Sequence, residues 1–307
     1  MLDKVCVVMS TYNGERFLKE QLESIFSQNG VDVFVFVRDD GSQDKSISIL
    51  DRFDDSRLSY EACENCGAKI SFLRALADSP DADYYAFADQ DDVWDTDKLI
   101  SAVNMIKKSE IEFPDKPVLY SGRTRLVDQD LNPINISNSS KHKNKTINPF
   151  LRGQTLSSAG CTMVFNRNLK MLASSYLPTV FPMHDAWMNL LCLATGGVVL
   201  YDPVPHISYR QHGNNVVGGK RGLISSIKRR ISFNRRMGKC YHTKMYKELY
   251  DNFNSFMPAE NIERYKFVIS YKDGWKSRLK LLSDKDFFRG DNKYKFETRL
   301  LVFLNCY

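Results

Sequence analysis

The 307-residue sequence has no apolar run near the roughly 18 residues that a membrane-spanning helix needs. Two glycine-rich phosphate-binding motifs are also missing. A dinucleotide-binding fold requires G-x-G-x-x-G after its first strand, and only Gly14 stands there. No G-x-x-x-x-G-K-[ST] sequence occurs either. The two missing motifs exclude a Rossmann dehydrogenase and a P-loop nucleoside triphosphatase.

Cysteine is present but gives no disulfide framework. The seven cysteines are an odd number and are scattered along the chain, so we expect no disulfide scaffold. Cys63 and Cys66 form one C-x-x-C pair, yet no second pair stands at the spacing of a zinc site, and we expect two reduced thiols. The N-terminus runs directly into a strand-like pattern. We therefore expect no signal peptide and a cytoplasmic protein.

The positive charge is unevenly distributed. The composition is that of a globular protein, with 43% hydrophobic and 26% charged residues and a net charge of +6. Between Lys220 and Lys247 there are ten Lys or Arg residues and no Asp or Glu. Such an excess indicates an anionic partner: a membrane surface, a nucleic acid or a phosphorylated substrate.

Apolar periodicity predicts alternating strands and helices over the first third of the chain. The expected strands are 4–9, 33–37, 58–60 and 84–88, and the expected helices are 15–28, 44–53, 68–77 and 96–108, the last capped by Thr96. This alternation predicts an α/β fold with a mainly parallel open sheet flanked by helices.

The rest of the chain is less regular. We expect strands at 117–121, 155–165 and 206–210, a helix at 185–195 and a long surface loop at 128–148. From residue 218 onward the sequence becomes basic and helical. We therefore predict a catalytic domain at 1–217 and a basic, mostly helical extension at 218–307.

Three short polar motifs follow predicted strands. STYNG (10–14) follows the first strand, DDGS (39–42) the second and DQDDVW (89–94) the fourth. Each motif alone could be an ordinary turn. Ligands of open parallel sheets bind beyond the carboxyl ends of the strands, however, so three such motifs at one edge predict a binding site.

The carboxylates of the third motif suggest a metal. Asp89, Asp91 and Asp92 lie within four residues and would repel one another without a cation among them. Hard oxygen ligands suit Mg²⁺ or Mn²⁺, and such ions usually also hold a substrate diphosphate. The alternative is a set of acids facing the dipole of the next helix. That alternative explains Asp95 or Asp97 better than Asp89.

In their order and spacing, STYNG, RDDGSQD and ADQDDVW resemble the nucleotide-binding half of the family 2 glycosyltransferases. Further on, MHDAW (183–187) and SYRQHGNN (208–215) resemble the branch often assigned as bacterial rhamnosyltransferases. The resemblance covers about residues 3–217. It implies a GT-A fold and inverting, metal-dependent sugar transfer. The donor would be a nucleotide sugar, with dTDP-L-rhamnose favoured, and the acceptor a glycan or lipid-linked glycan of bacterial surface polysaccharide.

The resemblance also implies roles for individual residues. Asp185 aligns with the catalytic base, and Asp91 and His212 would bind Mn²⁺ or Mg²⁺, with Asp92 as a helper. The residues implied in donor binding are Thr11, Tyr12, Asn13, Glu15, Asp40, Asp89, Gln90, Arg210 and His212.

Several alternatives stay open at this point. Asp185 could be only the N-cap of its helix, and the role of its neighbour His184 is undecided. Trp94 and Trp187 could stack on a sugar or belong to the core. The donor could instead be a UDP-hexose or UDP-N-acetylhexosamine. Because Q-x-x-R-W and membrane spans are both missing, transfer of a single sugar is favoured over processive synthesis.

The basic segment 220–247 combines Lys and Arg with apolar residues, as a helix on an anionic membrane surface does. A solvated helix or a protein contact is an equally good interpretation. With lipid-linked acceptors, the protein would work peripherally on the inner face of the cell membrane. A nucleic-acid-binding protein is the alternative of another class. It would give the acidic cluster no role, so we expect no nucleic acid partner.

Overall fold

The computed structural model describes residues 1–136, 159–211, 240–288 and 292–307. Within these residues the strands form one nine-stranded sheet. The strands are β1 (Lys4–Thr11), β2 (Asp32–Asp39), β3 (Leu58–Ala62), β4 (Tyr84–Ala88), β5 (Val93–Trp94), β6 (Val118–Val127), β7 (Pro133–Ile136), β8 (Val164–Asn166) and β9 (Val198–Arg210). The helices are α1 (Leu18–Phe26), α2 (Ser46–Arg52), α3 (Ala68–Asp78), α4 (Lys98–Glu112), α5 (Arg167–Ser174), α6 (His184–Ala194), α7 (Tyr241–Phe253), α8 (Ala259–Ile269), α9 (Trp275–Leu282) and α10 (Asn292–Phe303).

The sheet is mixed and mostly parallel. Its strand order is β3-β2-β1-β4-β8-β6-β9-β5, and β7 pairs with β6 beside this path. β1 runs parallel to both β2 and β4, and β2 runs parallel to β3. β8 is antiparallel to both β4 and β6. The carboxyl ends of β1, β2 and β4 therefore lie together at one edge, as the sequence predicted.

Helices cover both faces of the sheet. In β1, Val5, Val7 and Met9 pack into one core with residues of α1, α2 and α4. The alternate residues Cys6 and Val8 belong to a second core with α3, α5 and α6. Burial on both sides explains why the parallel strands are continuous apolar runs rather than alternating patterns.

Several predicted boundaries were wrong. Thr96 does not cap α4, because the N-cap residue is Asp97 and it makes no side-chain cap bond. The predicted strand at 155–165 shrinks to β8, preceded by a 3-10 turn at Gly160–Thr162, and 155–158 lie outside the described residues. The loop predicted at 128–148 contains β7. Residues 137–148 of this loop lie outside the described residues.

The C-terminal helices share a core with the sheet domain. The aromatic ring of Phe253 on α7 meets the indole of Trp187 on α6 edge-on, with 6.1 Å between ring centroids. Val302 on α10 and Tyr307 are fully buried in the same cluster. The predicted boundary near residue 218 lies outside the described residues and stays a prediction. Among the helices that the structure describes, none is long and apolar enough to cross a membrane.

We expect Phe253→Ala to destabilise the whole protein. The Phe253 side chain has no exposed surface, and its loss leaves a cavity that costs about 3–5 kcal/mol of unfolding free energy. Phe256→Ala is the matched control, because Phe256 is 56% exposed, and its cost should stay within about 0.5 kcal/mol. Chemical denaturation followed by circular dichroism measures both. A separate early transition in Phe253→Ala, with the main transition unchanged, would contradict a shared core.

Candidate active site

Gln90 ties the loop after β4 to the end of β1. Its Oε1 accepts a hydrogen bond from Thr11 Oγ1 at 2.6 Å and from the Tyr12 backbone N–H at 2.9 Å. Its Nε2 donates to the Tyr12 carbonyl at 3.2 Å. A Cβ on Gly14 would lie 2.5 Å from Gln90 Oε1 and 2.8 Å from Thr11 Oγ1, so a larger residue there would displace these side chains from each other. Thr11 and Gln90 therefore shape the site by holding its loops.

Asn13 and Glu15 join the loop after β1 to the loop after β2. Asn13 has a left-handed backbone, with φ of 50°, and its Oδ1 accepts from the Gln43 N–H at 2.8 Å. Glu15 Oε2 accepts from the Lys45 N–H at 3.0 Å. The structure thus brings all three motifs together. Tyr12 is 48% exposed, which leaves its ring accessible to a ligand.

Asp40 anchors the loop before α3. Its two carboxylate oxygens accept the N–H groups of Cys66 at 3.0 Å and Gly67 at 2.9 Å. The Cys66 thiol also donates to Asp40 at 3.2 Å, and both Cys63 and Cys66 are free thiols. Asp40 is only 2% exposed. Its contact with the donor stays a prediction, beside this structural task.

The acidic loop after β4 contains one fully buried carboxylate. Asp92 Oδ1 accepts the Arg210 backbone N–H at 3.1 Å, while Oδ2 has no hydrogen-bond partner in the described part of the chain. Burial raises the pKa of Asp92 well above its usual range, and the charges of Asp89 and Asp91 add to the shift. Burial, with Asp91 and Asp185 nearby, raises the pKa of Asp89 to about 7.

Two residues that the sequence analysis did not select lie under this loop. Cys161 is buried in the 3-10 turn before β8, and its Sγ lies within 4.8 Å of carboxylate oxygens of Asp89 and Asp92. Burial raises the pKa of Cys161 well above its usual range. The thiol therefore stays protonated at neutral pH.

Lys98 lies against the same cluster. It is 2% exposed, and its Nζ lies 3.4 Å from the ring centroid of Trp94. Burial lowers the pKa of Lys98 to about 7, although Cys161 and Asp92 oppose that shift. Trp94 is 3% exposed and Trp187 is fully buried. The sugar-stacking interpretation of the two tryptophans was therefore wrong, and they belong to the core.

The cluster fits a divalent cation. The ligand atoms of Asp89, Asp92 and Cys161 all lie within 4.8 Å of one another. The carboxylates are hard oxygen ligands, and the buried Asp92 Oδ2 lacks a hydrogen-bond partner within the described residues. Asp91 is half-buried beside them, and its metal contact stays a prediction. His212, the other predicted ligand and donor contact, lies outside the described residues.

Arg210 holds the acidic loop in place through hydrogen bonds. Its Nε donates to the Asp91 carbonyl at 2.8 Å, and its guanidinium donates to Glu20 at 2.5 Å and to the Gln129 carbonyl. The guanidinium carbon of Arg210 also lies 4.4 Å from the ring centroid of Phe17. Because Arg210 is 2% exposed, it positions the loop. Its predicted donor contact stays a prediction.

Asp185 lies in the first turn of α6. The N-cap residue is Met183, so the interpretation of Asp185 as N-cap was wrong. Its Oδ1 accepts the Ala186 N–H at 2.6 Å. Burial raises the pKa of Asp185 to about 6, and its charge in turn raises the pKa of Asp89. A half-buried carboxylate with this pKa, close to the acidic loop, can accept a proton near neutral pH.

His184, whose role the sequence left open, is a packing residue. Its ring stacks on Phe72 at 4.0 Å between centroids and meets Phe87 edge-on at 5.0 Å. A Cβ on Gly160 would lie 2.4 Å from His184 Nε2. Burial lowers the pKa of His184 to about 3. The neutral ring thus packs the start of α6 against Phe87 of β4 and Phe72 of α3.

We expect His184 to make the protein acid-sensitive. Above pH 6.5 both folded and unfolded states hold a neutral ring. As the pH falls from about 6.5 toward about 3, only the unfolded state binds the proton. The unfolding free energy then falls by about 1.4 kcal/mol per pH unit. In His184→Leu the unfolding free energy should no longer show this contribution to its dependence on pH. Chemical denaturation at several pH values between 4 and 7 measures it.

Phe72→Leu is the matched control for this experiment. It disturbs the same ring stack but removes no titrating group, so its slope should equal that of the wild type. An equal slope in His184→Leu and the wild type would contradict a buried neutral histidine.

The mixed, mostly parallel sheet with an acidic loop after β4 agrees with the GT-A fold that the sequence resemblance implied. Residues 6–170 match Glycosyl transferase family 2, and the chain therefore belongs to this family. It is 28% identical to the dTDP-rhamnosyl transferase RfbG of Shigella flexneri over 234 residues, which are 72% of this chain and 77% of that protein.

Two further comparisons cover different shares of the chain. The Escherichia coli UDP-Glc:alpha-D-GlcNAc-diphosphoundecaprenol beta-1,3-glucosyltransferase WfgD is 27% identical over 109 residues, which are 36% of this chain and 43% of that protein. The crystal structure of S. aureus TarS 1–349 in complex with UDP has a TM-score of 0.59 and 14% identity. The similarity covers 98% of this chain and 86% of TarS. This likeness shows the shared fold.

Proposed function

We propose that the protein transfers one sugar, with inversion, from a nucleotide-sugar donor to a hydroxyl group of a glycan acceptor. The observation that carries this proposal is the pairing of two kinds of carboxylate at one sheet edge. Asp185 is half-buried with a pKa of about 6, while the 89–92 loop concentrates acids suited to a cation. Inverting transfer needs one group of each kind.

The reaction balances as a single displacement. The acceptor hydroxyl oxygen forms a bond to the anomeric carbon, and the bond from that carbon to the donor diphosphate breaks. The hydroxyl proton passes to the carboxylate of Asp185, and the nucleoside diphosphate leaves with the bonding electrons. A bound Mn²⁺ or Mg²⁺ would supply positive charge for the departing diphosphate. Asp89, Asp91 and Asp92, with His212, are the residues proposed to hold it.

The donor that we favour is dTDP-L-rhamnose. The S. flexneri relative carries the name dTDP-rhamnosyl transferase, and the similarity extends over 234 residues, well beyond the family match. Donor contacts are proposed for the accessible ring of Tyr12 and for Asp89. The alternative donor is a UDP-hexose or UDP-N-acetylhexosamine. The UDP-Glc transferase of E. coli supports that alternative over a smaller share of the chain.

The acceptor that we favour is a lipid-linked glycan of bacterial surface polysaccharide. The E. coli relative acts, by its name, on a sugar attached to diphosphoundecaprenol. A lipid-linked acceptor would place the protein at the inner face of the cell membrane, in contact with anionic lipid. Transfer is assigned to residues 1–217 in the same proposal, and the division at residue 218 is one of role, because the C-terminal helices share a core with the sheet domain.

Asp185→Asn should abolish transfer and keep donor binding. The amide has the same shape and its Oδ1 can still accept the Ala186 N–H, but it cannot take up the proton. We expect the transfer rate to fall about 100-fold or more, with the donor dissociation constant within about 2-fold of wild type. Radiolabelled sugar transfer and isothermal titration with the donor measure the two quantities.

Two variants complete the design. Asp78→Asn, at the exposed end of α3, is the matched control and should be fully active. Asp91→Ala should instead lose the metal-dependent part of donor binding. Full transfer activity in Asp185→Asn would contradict the assignment of Asp185 as the catalytic base.

A donor panel tests the nucleotide and the sugar. A ligand that binds the native state raises the melting temperature with its occupancy. In the presence of Mn²⁺ we expect dTDP-L-rhamnose at about 100 times its dissociation constant to raise the melting temperature by about 5 °C or more. UDP-glucose, GDP-mannose and ADP-glucose at the same concentration should shift it less. A larger shift with UDP-glucose would establish the alternative donor and contradict the rhamnosyl proposal.

A further inference from the structure

Helices α9 and α10 expose large apolar side chains. On α9, Trp275 is 66% exposed and Leu279 is 51% exposed. On α10 and the residue after it, Phe296 and Phe303 are 71% and 64% exposed, and Leu300 and Leu304 are also open to solvent. These six side chains are called the α9–α10 patch below. Soluble proteins rarely leave so many large apolar groups together without a binding role.

The patch lies on one side of the two helices. Trp275 and Leu279 are four residues apart, as are Phe296 and Leu300, and residues at this spacing share a helix face. Leu281 of α9 and Val302 of α10, which point away from these positions, are fully buried. The helices also touch, because Arg278 Nη1 donates to the Phe303 carbonyl at 3.5 Å. The exposed apolar faces are therefore neighbours.

Basic residues accompany the apolar ones. Lys276 and Lys280 are exposed on α9, and the sequence of that helix, WKSRLKLL, contains no acidic residue. Lys276 Nζ lies 5.9 Å from the ring centroid of Trp275. Arg299 adds an exposed cation on α10. Aromatic and aliphatic side chains beside lysines suit the boundary between lipid headgroups and acyl chains.

We propose that the α9–α10 patch docks the protein on an anionic lipid membrane. Trp275 and Phe303 enter the headgroup region, and Lys276 and Lys280 contact lipid phosphates. The patch residues are separate in sequence from the basic segment 220–247, most of which lies outside the described residues. The proposal goes beyond sugar transfer, because lipid binding needs neither donor nor acceptor. If the proposed function also holds, docking would bring the enzyme to a lipid-linked acceptor.

Vesicle co-sedimentation of the full-length protein tests the proposal without any sugar substrate. The vesicles are phosphatidylcholine alone or phosphatidylcholine mixed with phosphatidylglycerol, at low salt. We expect wild type to bind the mixed vesicles. Lys276→Gln with Lys280→Gln should reduce partitioning roughly 25-fold, at about 5-fold per lysine. Trp275→Ser with Phe303→Ser should reduce it at least as much.

The matched control replaces exposed apolar residues elsewhere. Ile111 on α4 and Met171 on α5 are 85% and 61% exposed, and Ile111→Ser with Met171→Ser should bind vesicles as wild type does. Circular dichroism melting curves confirm that each variant is folded. Retained binding in both patch variants would overturn the proposal and point to another segment. Failure of wild type to bind, or dimerisation that the Trp275→Ser and Phe303→Ser variant removes, would also overturn it.

Discussion

Repulsion within the acidic loop after β4 is the constraint around which this site is built. The ligand atoms of Asp89, Asp92 and Cys161 lie within 4.8 Å of one another, and two full negative charges at that distance would repel by about 3.5 kcal/mol at an effective dielectric constant of 20. The raised pKa values of Asp89 and Asp92 reflect this repulsion together with burial. The fold offsets this cost before any ligand arrives. The Arg210 backbone N–H donates to Asp92, and the neutral Cys161 thiol lies beside both carboxylates. Lys98, whose pKa burial lowers to about 7, adds a positive charge when it is protonated.

A binding site also needs a fixed shape, and this need explains why so many polar residues at the sheet edge form hydrogen bonds to one another. Thr11, Asn13 and Glu15 bond to neighbouring loops through their side chains, and Asp40 does so on the opposite side of β2's end. Each was expected to touch the donor. Their observed bonds fix the shape of the site in advance, which reduces the ordering cost of ligand binding. Groups that reach solvent, such as the Tyr12 ring, remain available for the donor.

The local sequence pattern of apolar and polar residues was enough to predict the strands β1, β2 and β4, because each is a short apolar run followed by turn-forming polar residues. Parallel pairing then placed their motifs at one edge. Cys161 and Lys98 could not be found this way. Lys98 looks like an ordinary polar position at the start of α4, and Cys161 reaches the acidic loop only through the pairing of β8 with β4. Their roles depend on tertiary burial, which periodicity does not report. His184 was undecided for the same reason.

Helix α6 connects the candidate base to the C-terminal helices. Asp185 lies in its first turn, His184 wedges that turn against Phe72 and Phe87, and Trp187, two residues after Asp185, packs on Phe253 of α7. The apolar surroundings that raise the pKa of Asp185 are thus produced by the packing that fixes the helix. A change in the C-terminal core would therefore alter both the position and the proton affinity of the candidate base, although no C-terminal residue needs to touch the substrate.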